Sequence, residues 1–374
     1  MREQMKKIVL VTGNTKGGII QFLETLESVL SEIGFEITVV APAEIEKKLQ
    51  SKKNYIYYQT IVESSGFTRK INSFLSKKKA FVEITKRVNT LKPDLIWLID
   101  NPINTVVIGL KLVSTKIPML LTLHDAGGNH PTNQTIYQQL RNHYTDFLSD
   151  KLEHKVNYIL LLSKISYEKY GLLKPKNTEK RVYFCLGAHV PNVNELKPDE
   201  ITENQFHLFF GRIDKYKGLE TLFRAFSEAD NPKYKLVVAG SGELTKKEAE
   251  VYKLIKKDVT LINRYIRDEE MLWLFHHARS VVLPYIEATQ SGVIPIAYKF
   301  GVPVIVSNVD GLTQFVEDEK TGFVCESEID YITALKKLEN DNTRSAMSEA
   351  AIEYHLSNMD WKKNILSVLD AILN

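Results

Sequence analysis

Two basic residues five positions apart, framed by glycines, give the first chemical lead. In FFGRIDKYKGLETL (209–222), the apolar residues Leu208 to Phe210 end at Gly211, Arg212 and Lys217 follow, and Gly218 precedes a helical pattern of Leu219, Leu222, Phe223 and Phe226. The pattern predicts a strand, a turn and a helix. An arginine fork, a lysine point charge and the free N–H groups of a helix start suit a bound diphosphate. The same residues also read as an ordinary strand-to-helix loop with solvated lysines.

Three further segments sit at predicted strand ends. TGNTKGG places Gly13, Gly17 and Gly18 between the first strand and the first helix, where glycine lets backbone approach a ligand. Its spacing is neither the dinucleotide fingerprint nor a P-loop, and a plain turn is the alternative. LTLHDAGGNHP puts His124 and Asp125 directly after an apolar strand and before Gly127 and Gly128, with His130 as a weaker candidate. A histidine so placed can serve a site, although a lone histidine is more often structural. LPYIEATQSGVIPIAYKFGVPVIVSNVDG contains a small polar loop from Pro284 to Gly292. Thr289, Gln290 and Ser291 supply hydrogen-bonding side chains, and Ser291, Gly292 and Val293 supply N–H groups at a helix start. Glu287 is the loop's carboxylate.

The elements that must position these residues alternate twice over. Strands are expected at 7–12, 36–40, 55–59, 94–99, 118–123, 157–162 and 182–186, with helices between them, notably 18–33 and 132–153. Runs rich in Val, Ile and Leu without strict alternation fit strands buried on both faces of a parallel sheet. Residues 188–204 carry prolines and asparagines and read as a linker. The alternation then restarts with strands at 206–211, 235–239, 258–262, 280–283 and 303–306 and helices at 218–229, 243–256, 268–278 and 292–300. The expected domains are 1–187, linker 188–204, 205–357, and a C-terminal helix at 358–374 packing back on the N-terminal domain. Two doubly wound α/β domains imply a cleft collecting the loops at the strand C-termini.

Composition bounds the partners. The 374 residues are 44% hydrophobic and 25% charged, ordinary for a soluble globular chain of two domains. Cys185 and Cys325 lie far apart, which excludes a disulfide framework and suggests a reducing compartment. The short apolar run before Thr12 reads as a first strand rather than a signal peptide, and no apolar run reaches the roughly 18 residues of a membrane span. The net charge of +3 hides an asymmetry. Residues 1–187 carry 27 basic and 17 acidic residues, a balance of +10, and the remainder carry 22 and 29, a balance of −7. Lysine clusters at 47–53 and 69–81 interleave with Ile71, Phe74, Leu75 and Phe81, which suits an anionic membrane surface as well as a solvated face. No nucleic-acid motif accompanies the charge.

Taken together, the four segments resemble the GT-B nucleotide-sugar glycosyltransferases, specifically glycosyltransferase family 4. The resemblance rests on the Gly17–Gly18 pair, on His124 in LTLHD, and on the G-R-x(4)-K-G turn of Gly211, Arg212, Lys217 and Gly218. It extends to P-x-x-E-x-x-x-x-G, to FGVPVI and to the turn of Asp318, Thr321, Gly322 and Phe323. It covers nearly the whole chain, and its specific parts are the arginine–lysine turn and residues 284–306. Two departures stand out. The family usually carries two glutamates eight positions apart; alignment on FGVPV puts Ala288 and Ile296 there, with Glu287 one residue early. Another family glutamate is Gln314 here, and TQSGV resembles a loop variant of some polysaccharide-assembly members.

The resemblance implies two Rossmann-like domains facing across a cleft and a retaining, metal-independent hexosyltransferase. Its donor would be a nucleotide diphosphate sugar and its acceptor a glycan or lipid-linked glycan in cell-surface polysaccharide or glycolipid assembly. His124, Arg212 and Lys217 take the catalytic roles; Gly17, Gly18, Glu287, Thr289, Gln290, Ser291, Gly292 and Val293 bind the donor. No metal or other cofactor is implied, and the expected location is cytoplasmic, peripheral at the inner face of the membrane. The missing glutamates keep a non-catalytic partner subunit open as an alternative, and the shared fold keeps a nucleotide-sugar epimerase open.

Overall fold

The computed structural model describes residues 5–15, 18–45, 54–58, 80–124, 136–229 and 233–373. Gly17, Asp125, Gly127, Gly128, His130, the cluster at 47–53 and the cluster at 69–81 up to residue 79 lie outside the described residues, as does the expected helical start at 132–135. The chain divides into two compact units, one of Met1–Phe184 with Ile365–Asn374 and one of Cys185–Asn364.

In the first unit the strands are β1 (Lys7–Val11), β2 (Glu36–Pro42), β3 (Tyr55–Tyr58), β4 (Leu95–Leu98), β5 (Met119–Leu123), β6 (Tyr158–Leu161) and β7 (Arg181–Tyr183). Among the described residues they form one parallel sheet in the order β3-β2-β1-β4-β5-β6-β7. The helices are α1 (Gly18–Glu32), α2 (80–91), α3 (Ile103–Leu112), α4 (Ile136–Lys155) and α5 (Lys164–Leu173). The strand residues Ile8, Leu10, Leu95, Trp97, Leu120 and Leu160 are all fully buried, the fate of apolar runs covered on both faces. Trp97 satisfies its indole by donating to Thr122 Oγ1 at 2.8 Å.

In the second unit β8 (Phe206–Phe210), β9 (Lys235–Ala239), β10 (Val259–Ile262), β11 (Ala278–Leu283), β12 (Val304–Ser307) and β13 (Gly322–Cys325) form a parallel sheet in the order β10-β9-β8-β11-β12-β13. The helices are α6 (Leu219–Glu228), α7 (Lys246–Ile255), α8 (Asp268–His277), α9 (Val293–Lys299), α10 (Asp310–Thr313), α11 (Glu328–Lys337), α12 (Asp341–Asn358) and α13 (Trp361–Leu373), the last running on into the terminal segment of the first unit. The capping box of Thr245 and Glu248 fixes the start of α7 three residues later than the sequence pattern suggested.

Two elements were not legible as drawn. Strand β11 begins at Ala278 rather than 280 because Arg279, a buried cation, is fully engaged. It donates to the Leu338 carbonyl at 2.9 Å, to Gln205 at 2.9 Å and to Asp341 at 2.8 Å. Strand β13 starts at Gly322, where the sequence pattern marks only a turn. Residues 188–204 hold no helix or strand, yet they are tied to the second unit. Leu196 N–H donates to the Glu269 carbonyl, Glu195 pairs with His276, Glu200 pairs with Arg264, and Ile201 is buried.

In each sheet the winding reverses direction beside the first strand, between β1 and β4 in one and between β8 and β11 in the other. Open α/β sheets bind ligands outside the strand carboxyl ends at such points.

Candidate functional site

In the second unit the reversal point is formed by the loops after β8 and β11. The β8 loop is held rigidly. Gly211 N–H donates to the Ala239 carbonyl at 3.0 Å and Ile213 N–H to the Ser241 carbonyl at 2.9 Å. A short 3-10 turn over Lys215–Lys217 then ends at Gly218, whose φ of +66° lies in the left-handed region. A Cβ there would sit 1.9 Å from the Pro284 carbonyl oxygen, so the two loops touch backbone to backbone only because residue 218 is glycine. Ile286 N–H donates to the Tyr216 carbonyl at 2.8 Å and completes the join.

This join sets the two cations. Arg212 is exposed, and its guanidinium is favoured by the Tyr216 hydroxyl and then by Asp214, whose carboxylate lies 3.9 Å away. Lys217 is half-buried, with its ammonium 3.6 Å from the centre of the buried Tyr285 ring and 4.9 Å from that of Tyr216. Burial, reinforced by the charge of Arg212 and only partly opposed by Asp214, pushes its pKa down to about 7. Among the described residues no carboxylate forms a salt bridge with it.

The loop after β11 lies alongside. The Tyr285 carbonyl accepts from Ser307 Oγ at 2.5 Å, and the backbone of Ala288 passes so close to Gly311 that a Cβ there would meet its oxygen at 2.2 Å. Ser291 is buried beside the Tyr285 side chain, and Thr289 and Gln290 are half-buried. The three N–H groups expected at the start of α9 are not all available. That of Val293 donates to Ser291 Oγ at 3.3 Å, and Gly292 is the helix cap. Glu287 is exposed. Ile296 packs against the apolar core of the unit, so that position contributes no polar group.

In the first unit the reversal point is occupied by Asp100, which follows β4 and is buried. Its carboxylate accepts from Thr12 Oγ1 at 2.6 Å, Gly13 N–H at 3.2 Å, Asn14 N–H at 3.2 Å and Asn14 Nδ2 at 3.0 Å, with Thr105 Oγ1 donating as well. Gly13 has no room for a side chain, because Pro102 Cγ and Thr105 Oγ1 lie 2.8 Å from where its Cβ would be. His124 directly follows β5, with Nε2 2.9 Å from the carbonyl of Ile99, the residue before Asp100. A carbonyl only accepts, so Nε2 carries the proton. The Phe22 ring of α1 meets the imidazole edge-on at 5.1 Å, which brings His124 against the helix that Gly18 begins.

The structure therefore brings Arg212, Lys217 and the 284–293 loop together, and sets His124 against Ile99 and α1. Asp100, Tyr216 and Tyr285 were not singled out by the sequence. The two tyrosines lie inside quoted motifs but are apolar-aromatic supports, and apart from Thr105 the partners of Asp100 are 86 to 88 positions away.

Comparison with known proteins bears on this geometry. Residues 194–354 match the family model of the glycosyl transferases group 1. The second unit belongs to this family. An uncharacterized glycosyltransferase of Methanocaldococcus jannaschii is 31% identical over 117 residues, which span 31% of this chain and 30% of that relative. An uncharacterized 41.2 kDa protein in the cps region of Klebsiella pneumoniae is 23% identical over 85% of both chains. A D-inositol 3-phosphate glycosyltransferase of Corynebacterium diphtheriae is 28% identical over 41% of this chain and 38% of its own length. Among solved structures, Anabaena HepE in complex with UDP aligns with a TM-score of 0.71 at 15% identity, covering 98% of this chain and 100% of that one. The glycosyltransferase unit and its companion thus share the GT-B fold, two Rossmann-like parallel-sheet domains.

Proposed function

We propose that this chain is a retaining, metal-independent glycosyltransferase. It moves a sugar from a nucleoside diphosphate sugar to a glycan or lipid-linked acceptor, in assembly of cell-surface polysaccharide or glycolipid at the inner face of the membrane. The observation that carries this reading is the pairing of Arg212 with an unneutralised, half-buried Lys217 at the reversal point of the second sheet. A half-buried ammonium that no salt bridge among the described residues neutralises is unfavourable until an anion arrives, so the site is electrostatically prepared for one. HepE has been crystallised with UDP and with UDP-glucose, which supports the donor class. The resemblance of TQSGV to polysaccharide-assembly members supports the pathway.

In the proposed reaction the bond between the anomeric carbon and the diphosphate oxygen breaks, and its electron pair stays on the leaving group. Arg212 and Lys217 stabilise that developing charge, the task a divalent ion would otherwise perform. The acceptor hydroxyl arrives on the face the diphosphate leaves and gives its proton to a departing phosphate oxygen. Glu287, Thr289, Gln290, Ser291, Gly292 and Val293 serve the donor, as do Gly17 and Gly18, and His124 takes its catalytic role from the first unit.

The test is a thermal-shift panel of nucleoside diphosphates followed by product analysis with the best-matched UDP-, GDP- or ADP-sugar. A ligand that binds the native state must raise Tm. One diphosphate raising Tm, with transfer that persists in a chelator and an α-linked sugar giving an α-linked product, supports the proposal. Absence of any shift, or activity lost on chelation and restored by a divalent ion, overturns it.

A further inference from the structure

The end of α5 presents a feature that the transfer reaction does not use. Its buried face is formed by Ser166 and Tyr170. The Tyr170 hydroxyl donates to Glu153 at 2.8 Å and accepts from Asn177 Nδ2 at 2.9 Å, which fixes the rotation of the helix. With that face locked inward, the last two residues of the helix must point out. Leu172 is 84% exposed and Leu173 is 61% exposed, and Pro175 prevents the helix from continuing and covering them. Tyr183, 42% exposed on edge strand β7, extends the apolar surface, with its ring 5.1 Å from that of Tyr167.

The segment that carries this tip is basic, with Lys174 paired to Asp150. The segment 164–183 carries six basic and two acidic residues. Lys164, Lys169 and Lys176 are exposed. Arg181 lies across the last turn of α5, its guanidinium 4.1 Å from the centre of the Tyr167 ring, and only the absence of a side chain at Gly171 allows it to reach there. A second copy of this surface would bring like charges together, which disfavours self-association. Adjacent leucines, a flanking tyrosine and a ring of long basic side chains match the layers of an anionic bilayer: acyl chains, interface and phosphate headgroups.

We propose that the Leu172–Leu173 tip of α5 inserts into an anionic lipid surface, with Arg181 and the neighbouring lysines on the headgroups. This deepens the reading of a membrane-facing acceptor, but its test needs no activity. The full chain is sedimented with vesicles of phosphatidylglycerol and phosphatidylcholine, and with phosphatidylcholine alone, at low and rising salt. The wild type is expected to bind the anionic vesicles and to be released by salt. L172S/L173S should weaken binding about tenfold or more, K164E/K176E should weaken it chiefly at low salt, and neither should shift Tm, since all four side chains are exposed. Wild type that ignores anionic vesicles overturns the proposal. So does unchanged partition of L172S/L173S, including the case in which Lys77, Lys78 and Lys79 changed to Glu abolish binding while L172S/L173S retains it. A wild-type dimer that L172S/L173S converts to monomer, without lipid binding, would make the tip a self-association surface instead. Donor hydrolysis by L172S/L173S separates the outcomes, because it should equal wild type if the enzymatic reading holds and be absent from both if that reading fails.

Discussion

The ammonium of Lys217 rests 3.6 Å from the centre of the Tyr285 ring, a residue on the neighbouring loop, and this contact adds a side-chain link to the backbone join between the two loops that flank the reversal point. An aromatic face attracts a cation but neutralises none of its charge. The lysine is thus held in place while its demand for an anion is left standing.

Removing that charge should separate function from stability. Lys217→Ala and Arg212→Ala are each expected to lower turnover by the equivalent of about 2–4 kcal/mol, the scale of one lost donor to a developing charge. Lys217→Met, which keeps the packing, should stabilise the ligand-free protein by about 1 kcal/mol while abolishing the Tm gain on adding nucleoside diphosphate. Transfer rates in both alanine variants equal to wild type would dismiss the assignment.

The depressed pKa of Lys217 also sets a pH dependence. Its folded value of about 7 lies below the unfolded value of about 10.4, so between these the unfolded chain binds more protons. This group therefore makes the ligand-free protein more stable as pH rises from 7 towards 10, and Lys217→Met should flatten that rise. Diphosphate binding runs the other way, because it requires the charged lysine. Affinity should fall as pH climbs above about 7, and below about 6 the phosphate takes up its own proton. Calorimetric titration of the nucleoside diphosphate at pH 6, 7 and 8 checks the sign, and affinity that rises between pH 7 and 8 would contradict it.

Asp100→Asn is expected to be severe despite its conservative shape. An amide would turn at least one donor towards the Thr12 hydroxyl or the Gly13 and Asn14 N–H groups, which now all converge on a carboxylate. A loss of roughly 2–4 kcal/mol in chemical denaturation should result. Nucleoside diphosphate should still raise the Tm of the variant, since Arg212 and Lys217 are on the other unit. Denaturation midpoints matching wild type would show that the node is not under such constraint.

Gly218→Ala combines two penalties, a left-handed backbone and a Cβ 1.9 Å from the Pro284 oxygen. The loop must move, breaking the bond from Ile286 N–H to the Tyr216 carbonyl. A destabilisation of roughly 2–4 kcal/mol is expected, together with loss of the pKa shift of Lys217. Retention of full turnover and wild-type Tm would argue against the close loop contact.

Much of the architecture could be read from apolar runs, because a strand buried on both faces advertises itself in Val, Ile and Leu, as in KIVLV and KLVVA. What escaped was polar matter inside that pattern. Arg279 interrupts the start of β11, and only the distant Gln205, Leu338 and Asp341 make it tolerable there. Asp100 escaped for the same reason, one residue past a strand whose apolar run ended at 99. The arginine–lysine turn was visible as chemistry. Its aromatic support was not, since a tyrosine is equally at home in a core.

The charge arrangement at the two reversal points has a consequence for protein engineering. One loop crossing is filled by the chain's own carboxylate, the other by two cations and their tyrosine supports, and every residue of the latter falls between positions 211 and 291. The anion site we propose there would therefore be a portable cassette. A chimaera that exchanges residues 185–364 for those of a relative should import the relative's nucleotide preference whole, whereas shuffling point substitutions into the loop after β1 should leave that preference where it was.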